Sequence, residues 1–482
     1  MGIDLDFLKE NIIGQGRKEK DSPGLLKFSR FLVYLLVFLT PLFFLPWTSE
    51  ILEFNKQTLI FSLSAIAFVL YLFQTIRSGK LEVKKSPANY AVLIFLAAVL
   101  LVSFFSEFRY QSVFGGFTAG FYGSLLSQVS FAILFFLVLN VFGLGSGSHS
   151  AKAESRKLLN VFSFSLFLAV LFAVFQLFGL PVFKFLGVSQ QFFNTSGTVN
   201  SLGIASAVLL VLSLSRFESL GEKPLSAYFR IPAILLSVFT LLVINWWVIW
   251  LVALPGLLLV LILSSLKNRR IMTYFPALII VLLAVIFMFF KFNLAGVFGL
   301  KLPVEIAPSF RTSFEISRQA AAQDPLFGFG PENFSLAYDL YKPISINNTV
   351  FWSTRFTEPT SEIFNALISG GVVYFAAFLF LIFTAFRLTF RNRDLVPLLI
   401  TFIAAWALYP FNMRLGFGFW LVLAVLALAA SKKSDEVAVS LETSPRRSIL
   451  STVSFVAILV LAVAGFYFAA SRYSADLKFA KA

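Results

Sequence analysis

Thirteen apolar runs dominate the chain, several of them short: 31–47, 57–76, 90–106, 124–144, 158–180, 199–215, 231–245, 248–266, 272–290, 364–386, 395–410, 415–431 and 450–470. About 20 apolar residues of helix span a hydrocarbon core, and inside that core the backbone must satisfy its own hydrogen bonds. The chain therefore reads as an all-α, polytopic transmembrane helix bundle of about 13 spans. The range is 12 to 14, because only Asn245-Trp246-Trp247 separates the seventh run from the eighth. Charged residues make up 13% of the 482, about half the share of a soluble domain, so a soluble fold of this size would lack a polar surface. Residues 1–24 form a polar, Lys-rich lead, which points to a retained first span rather than a cleaved signal. Asp6 stands where a myristoylation signal wants Ser or Thr, which argues against lipidation.

Charge gives an independent check on the span count, since short cytoplasmic loops keep an excess of Lys and Arg. With the N-terminus inside and thirteen alternating spans, the inside segments hold 26 basic and 13 acidic residues and the outside segments 13 and 11. The formal charge of +15 is then mostly topology, and a nucleic-acid partner is not expected. Localisation follows as the cytoplasmic (inner) membrane, with the N-terminus cytoplasmic and the C-terminus extracytoplasmic. The parts are a cytoplasmic segment 1–30, spans 1–9 in 31–290, a large extracytoplasmic loop 291–363 and spans 10–12 in 364–431. A cytoplasmic linker 432–449, span 13 at 450–470 and an extracytoplasmic tail 471–482 complete the chain.

The residue inventory removes whole classes of chemistry. Zero cysteines exclude thiolate, iron–sulfur and Cys-based zinc sites, and the single histidine, His149, falls in the Gly/Ser-rich linker 143–150 and reads as solvated. No metal and no cofactor are expected. No internal repeat is visible, which argues against transporters built from two related halves. Nor does any span carry a charged residue near its middle, where a proton or ion path would need one. The functional groups should therefore sit at the outer membrane surface.

In the outer loop, Ser309–Gln323 puts Phe310, Phe314, Ser317 and Ala321 on one helical face, with Arg311, Glu315 and Arg318 off it. This is the pattern of an amphipathic helix lying on the membrane or over a cavity. Asp324-Pro325 stops that helix and Gly328-Phe329-Gly330-Pro331 forces a turn. The loop also holds Glu332, Asp339, Lys342, Arg355, Glu358 and Glu362. Arg318 and Lys342 read as solvated surface. Arg355, Glu358 and Glu362 instead crowd the point of re-entry at span ten, among Phe351, Trp352 and Phe356, which suit an interfacial aromatic belt. By themselves Gly328 and Gly330 fit a turn, and Gly370-Gly371 close helix packing.

The stretch Asp324-Pro325-Leu326-Phe327-Gly328-Phe329-Gly330-Pro331-Glu332-Asn333-Phe334 resembles the outer-loop signature of the O-antigen ligase and polymerase family of membrane glycosyltransferases. Ser361-Glu362-Ile363-Phe364-Asn365-Ala366-Leu367-Ile368-Ser369-Gly370-Gly371 is similar to the span that follows it. Ser112–Gly123 and Asn194–Gly203 resemble two further outer loops, so the likeness runs over roughly residues 30 to 430. The resemblance implies transfer of a glycan from a polyprenyl-pyrophosphate carrier to a sugar hydroxyl on a glycan or lipid-glycan acceptor, outside the membrane and without metal. That scheme needs cations for the pyrophosphate, a base at the acceptor hydroxyl and lipid contact for the tail. Arg311, Arg355 and Arg414 are the candidate cations, and Gly328, Gly330 and Asn333 join them as substrate-binding candidates. The family's His-Asn pair at span ten is Thr360-Ser361 here, and its Ser-Arg-Gly after span seven is Asn245-Trp246-Trp247. Glu358 or Glu362 is therefore expected to act as base. Alternatives are a lipid or glycan transporter or flippase, and a catalytically silent membrane scaffold of the same fold. The tail Ser471–Ala482 looks like the opening helix of the tetratricopeptide repeats that some longer relatives carry. The sequons at Asn194, Asn333 and Asn347 would matter only in a secretory pathway that glycosylates them.

Overall fold

The computed structural model describes residues 23–116, 120–144, 148–215, 217, 220, 227–267, 275–290, 292–441 and 445–481. Seventeen α-helices fall among the described residues. They begin with α1 (Pro23–Leu39), α2 (Glu53–Ser78), α3 (Pro87–Phe104), α4 (Arg109–Phe114), α5 (Leu125–Gly143) and α6 (Ser148–Leu177). Next come α7 (Val199–Leu214), α8 (Ala227–Ile244), α9 (Trp247–Leu266), α10 (Phe275–Phe290) and, in the long loop, α11 (Leu294–Val297), α12 (Phe310–Gln323) and α13 (Phe334–Tyr341). The chain closes with α14 (Glu362–Thr389), α15 (Val396–Leu408), α16 (Met413–Ala430) and α17 (Pro445–Lys481). Eight of them, α2, α3, α5, α6, α9, α14, α16 and α17, are long and apolar enough to cross a membrane, so the chain is a membrane-embedded, all-helical bundle.

Each apolar run contains one helix, and at four of them a polar residue just ahead of the helix caps its start. Ser86, Ser124, Thr198 and Asn412 cap α3, α5, α7 and α16 by accepting a first-turn backbone N–H, each cap worth about 1 kcal/mol. The seventh and eighth runs are two helices, broken at Asn245, whose φ is +40°. α16 lies at the centre with every residue buried. It is surrounded by α5, α6 and α14, and Gly416 leaves room for the Tyr122 ring.

Hydrogen bonds sort the helix ends. The starts of α2, α5, α7, α14 and α16 meet at one end. There Gln57 donates to Ser124 and Ser127 (2.9 Å each), Lys56 to the Thr195 carbonyl (2.7 Å), Met413 N–H to Glu53 (2.6 Å) and Phe411 N–H to Glu362 (3.1 Å). At the other end basic side chains cap helix C-termini. Arg30 donates to the Val141 carbonyl, Lys84 to Gly143, Arg230 to Leu214 and Arg391 to Ala430, at 2.9–3.0 Å. These cations meet the negative ends of the helix dipoles. At that same end lies a feature the apolar pattern does not announce: β1 (Lys80–Lys84) pairs antiparallel with β2 (Glu436–Ser440) and ties the α2–α3 turn to the segment before α17.

Two local expectations need revision. The packed face of α12 is Ser313, Ile316, Ser317 and Ala320, while Phe310 and Phe314 point outward, because small residues let the helix approach α14 closely. His149 is exposed as expected, but it lies in the first turn of α6 rather than in a linker. The tail to Lys481 continues α17 as one 37-residue helix. Ser49, near the end of the α1–α2 turn, docks onto Asp476, and the Arg472 guanidinium stacks over the rings of Phe54, Tyr110 and Phe114.

Candidate functional site

The loop signature is a docking device. α14 is broken at Gly371 (φ +55°, ψ −156°), which frees backbone groups on both sides of the break. The signature turn takes them up: Val372 N–H donates to the Pro325 carbonyl (2.9 Å), Val373 N–H to Leu326 (3.3 Å), and Phe329 N–H to the Ile368 carbonyl (3.0 Å). A Cβ on Gly371 would stand 2.7 Å from the Leu326 carbonyl oxygen and one on Gly328 would stand 2.8 Å from Gly371 N, so glycines are required where two backbones touch. Asn333 anchors the other flank, donating to Ser106 (2.8 Å), Ser112 (3.0 Å) and the Phe329 carbonyl (2.9 Å). Gly330 makes the space for that serine pair.

The turn delivers Glu332 to the end where the helix starts meet. Glu332 is 6% exposed, holds a φ of +63° and accepts the Gly123 N–H. A left-handed, non-glycine backbone of this kind is costly and concentrates at functional sites. Glu358 arrives from the segment before α14, and Glu332 Oε2 and Glu358 Oε1 stand 2.6 and 3.3 Å from the point where a Gly120 Cβ would be. Glu362, 2% exposed, opens α14; its carboxylate accepts from Phe411 N–H and Asn365 Nδ2, both at 3.1 Å. The Tyr122 hydroxyl is buried nearby without a hydrogen-bond partner.

These acids perturb one another. Burial and then the charges of Glu358 and Glu362 hold the Glu332 carboxyl well above the usual carboxylate range. Enclosure by protein, reinforced by Glu362, Glu53 and Glu305, pushes Glu358 from 4.5 up to about 8. Glu358 itself is exposed, whereas Glu332 and Glu362 are buried. A raised, water-accessible carboxylate beside buried acids is the setting in which a carboxylate works as a base near neutral pH.

Cations lie beneath. Arg414, 2% exposed, donates to Ser196 and to the Ser201 carbonyl (2.9 Å), and its Nε has no partner. Lys56 is fully buried, 3.8 Å from Glu53. Asn412 donates to the Ser196 carbonyl (3.1 Å) and to Ser201 Oγ (2.7 Å). Together they hold the polar turn 194–201 against the starts of α2 and α16. Five helix N-termini and the buried cations Arg414 and Lys56 thus lie beside the acids at this end.

Of the candidates drawn from sequence, Glu358, Glu362 and Arg414 gather here. Gly328, Gly330 and Asn333 sit in the scaffold that delivers Glu332. Arg311 and Arg355 stay out on the loop: Arg311 is exposed in the first turn of α12, and Arg355 is exposed in a pair with Asp339 at 2.6 Å. Thr360 binds Ser313 (3.1 Å) and the Pro308 carbonyl, which fastens α12 to the start of α14. Sequence reasoning passed over Glu332 as a site residue, together with Lys56, Gly120 and Gly123. The clue to Glu332 was its place directly after Gly-Phe-Gly-Pro. Among the described residues no group of three or more His, Asp or Glu has metal-site geometry. A scan against family models and a search of curated proteins found no match to this chain.

Proposed function

We propose that the chain is a membrane glycan ligase or polymerase, transferring a glycan from a polyprenyl-pyrophosphate carrier to a sugar hydroxyl at the outer face of the membrane. The observation that carries this reading is Glu358: a raised, water-accessible carboxylate beside the buried Glu332, on the end where helix N-termini and Arg414 gather. In the reaction the acceptor oxygen attacks the anomeric carbon. The hydroxyl proton passes to the Glu358 carboxylate as the carbon–oxygen bond to the pyrophosphate breaks. The leaving group takes that electron pair and remains on the lipid, stabilised against the 194–201 turn that Arg414 and Lys56 support. Burial, with the charges of Glu362, Glu53 and Glu305, keeps Glu358 basic. On this reading the chain crosses the membrane thirteen times, with 291–363 outside.

The transport alternative draws on the break in α14, since broken helices commonly expose freed backbone to a substrate. Here the loop occupies those freed groups, which favours a fixed loop over a moving gate. The test is purified protein in liposomes with a polyprenyl-pyrophosphate glycan and a panel of acceptors. Transfer is expected, falling about 100-fold or more in Glu358→Gln, the range of general-base contributions. Lipid movement without bond formation would replace the reading with the transporter, and neither activity would leave the scaffold.

A further inference from the structure

A cavity lies on the same end, away from the carboxylates and used by no step above. It encloses about 600 Å³ between the α8–α9 turn and the first part of the long loop, with Asn245, Phe292, Asn293, Gly299 and Lys301 in its lining. That volume is within the range of specific small-molecule sites, about 300–1,000 Å³. Its wall is built with care. Asn245, held at φ +40°, donates from Nδ2 to the Phe292 carbonyl (2.8 Å) and accepts from Trp250 Nε1 (2.9 Å), so one side chain ties the helix turn to the loop. Gly299 (φ +70°) leaves bare backbone, with nothing within 4 Å of where a Cβ would stand.

We propose that this cavity is a subsite for neutral carbohydrate, holding sugar residues remote from the bond that reacts; the inference rests on the transferase reading and names where its glycan lies. The lining offers amides and main-chain groups, which both donate and accept, and no carboxylate. That matches sugar hydroxyls, which do both. Phe292, 48% exposed, supplies an aromatic surface for the apolar face of a ring. The lone cation, Lys301, is exposed and unsupported by any second positive group in the lining, which disfavours a phosphate or lipid headgroup. The cavity communicates with the acids by contact. Trp246, next to Asn245, packs edge-on against Tyr409 at 5.8 Å, and Tyr409 accepts the Glu362 N–H on its carbonyl while its hydroxyl binds Glu305 (2.8 Å).

Trp246, Trp247 and Trp250 beside the cavity provide the readout. The full-length protein in detergent is titrated with a panel of neutral gluco-, galacto- and manno-oligosaccharides and, separately, with inorganic phosphate and phosphatidylglycerol micelles, following tryptophan fluorescence. Saturable quenching by at least one oligosaccharide is expected, weakened about five- to tenfold in Asn293→Leu and Lys301→Ala, the loss of one hydrogen bond, and unchanged in Arg318→Ala. No response to any sugar at millimolar concentration, or a response only to phosphate or phosphatidylglycerol, overturns the subsite. Binding is read without donor or turnover, so sugar binding without transfer removes the transferase and keeps the subsite. Transfer with the same KM in both variants does the reverse.

Discussion

At the scale of single residues, the site is a set of acids whose environments differ. Glu358 needs its proton removed to act, and its pKa stands near 8. The kcat/KM of transfer is therefore expected to rise with pH up to about 8 and then level, and Glu358→Gln should flatten that rise as well as lower it. Stability runs the opposite way. A carboxyl whose folded pKa is raised binds its proton more tightly in the folded state, so its contribution is whole below 4.5 and declines as pH climbs toward 8. Thermal melts across that window, wild type against Glu358→Gln, should show the variant losing less stability with rising pH. The arginines separate as clearly. Arg414→Lys keeps the charge but loses the fork that grips Ser196 and the Ser201 carbonyl, and it should cost both stability and activity. Arg355→Ala breaks an exposed pair worth at most about 1 kcal/mol and should stay within a few-fold of wild type in the transfer assay.

At the scale of elements, the join between the loop signature and the broken α14 decides where Glu332 stands. Gly371→Ala combines a left-handed backbone with a clash against Leu326 and should lower stability by about 1–3 kcal/mol. Gly187→Ala is the control: φ is +81° but a Cβ would meet nothing within 4 Å, so it bears the backbone cost alone. Equal melting shifts for the two would show that the join is not what makes Gly371 special. The last helix offers a second element-level test. α17 is gripped near its C-terminal end by Asp476 on Ser49, and the chain has no cysteine of its own. Ser49→Cys with Asp476→Cys should therefore form a disulfide on mild oxidation, and failure to cross-link would place α17 elsewhere.

Across the whole molecule, the starts of α2, α5, α7, α14 and α16 and the basic caps Arg30, Lys84, Arg230 and Arg391 lie at opposite ends. With the site end outside, Lys342→Cys should react with a membrane-impermeant maleimide on intact cells and Arg446→Cys only after permeabilisation. The reverse pattern would invert the orientation and move the acids to the cytoplasm.

What the sequence determined by itself was everything carried by local pattern. Thirteen apolar runs yield thirteen helices because each must close its own hydrogen bonds, and Ser86, Thr198 and Asn412 mark starts because a cap acts within its own turn. Glu358 and Glu362 were legible because they stand four residues apart at a re-entry point. What only tertiary structure decided was the company each residue keeps. Glu332 joins them through Gly123, 209 residues away, and Arg414 finds Ser196 at a separation of 218. Arg311, Arg355 and Arg414 looked alike as charges near the outer face, yet burial separates one from the other two. The reason is physical: apolar periodicity is written along the chain, whereas burial, mutual repulsion of acids and the fit of a loop into a broken helix arise between segments that meet only once the bundle has closed.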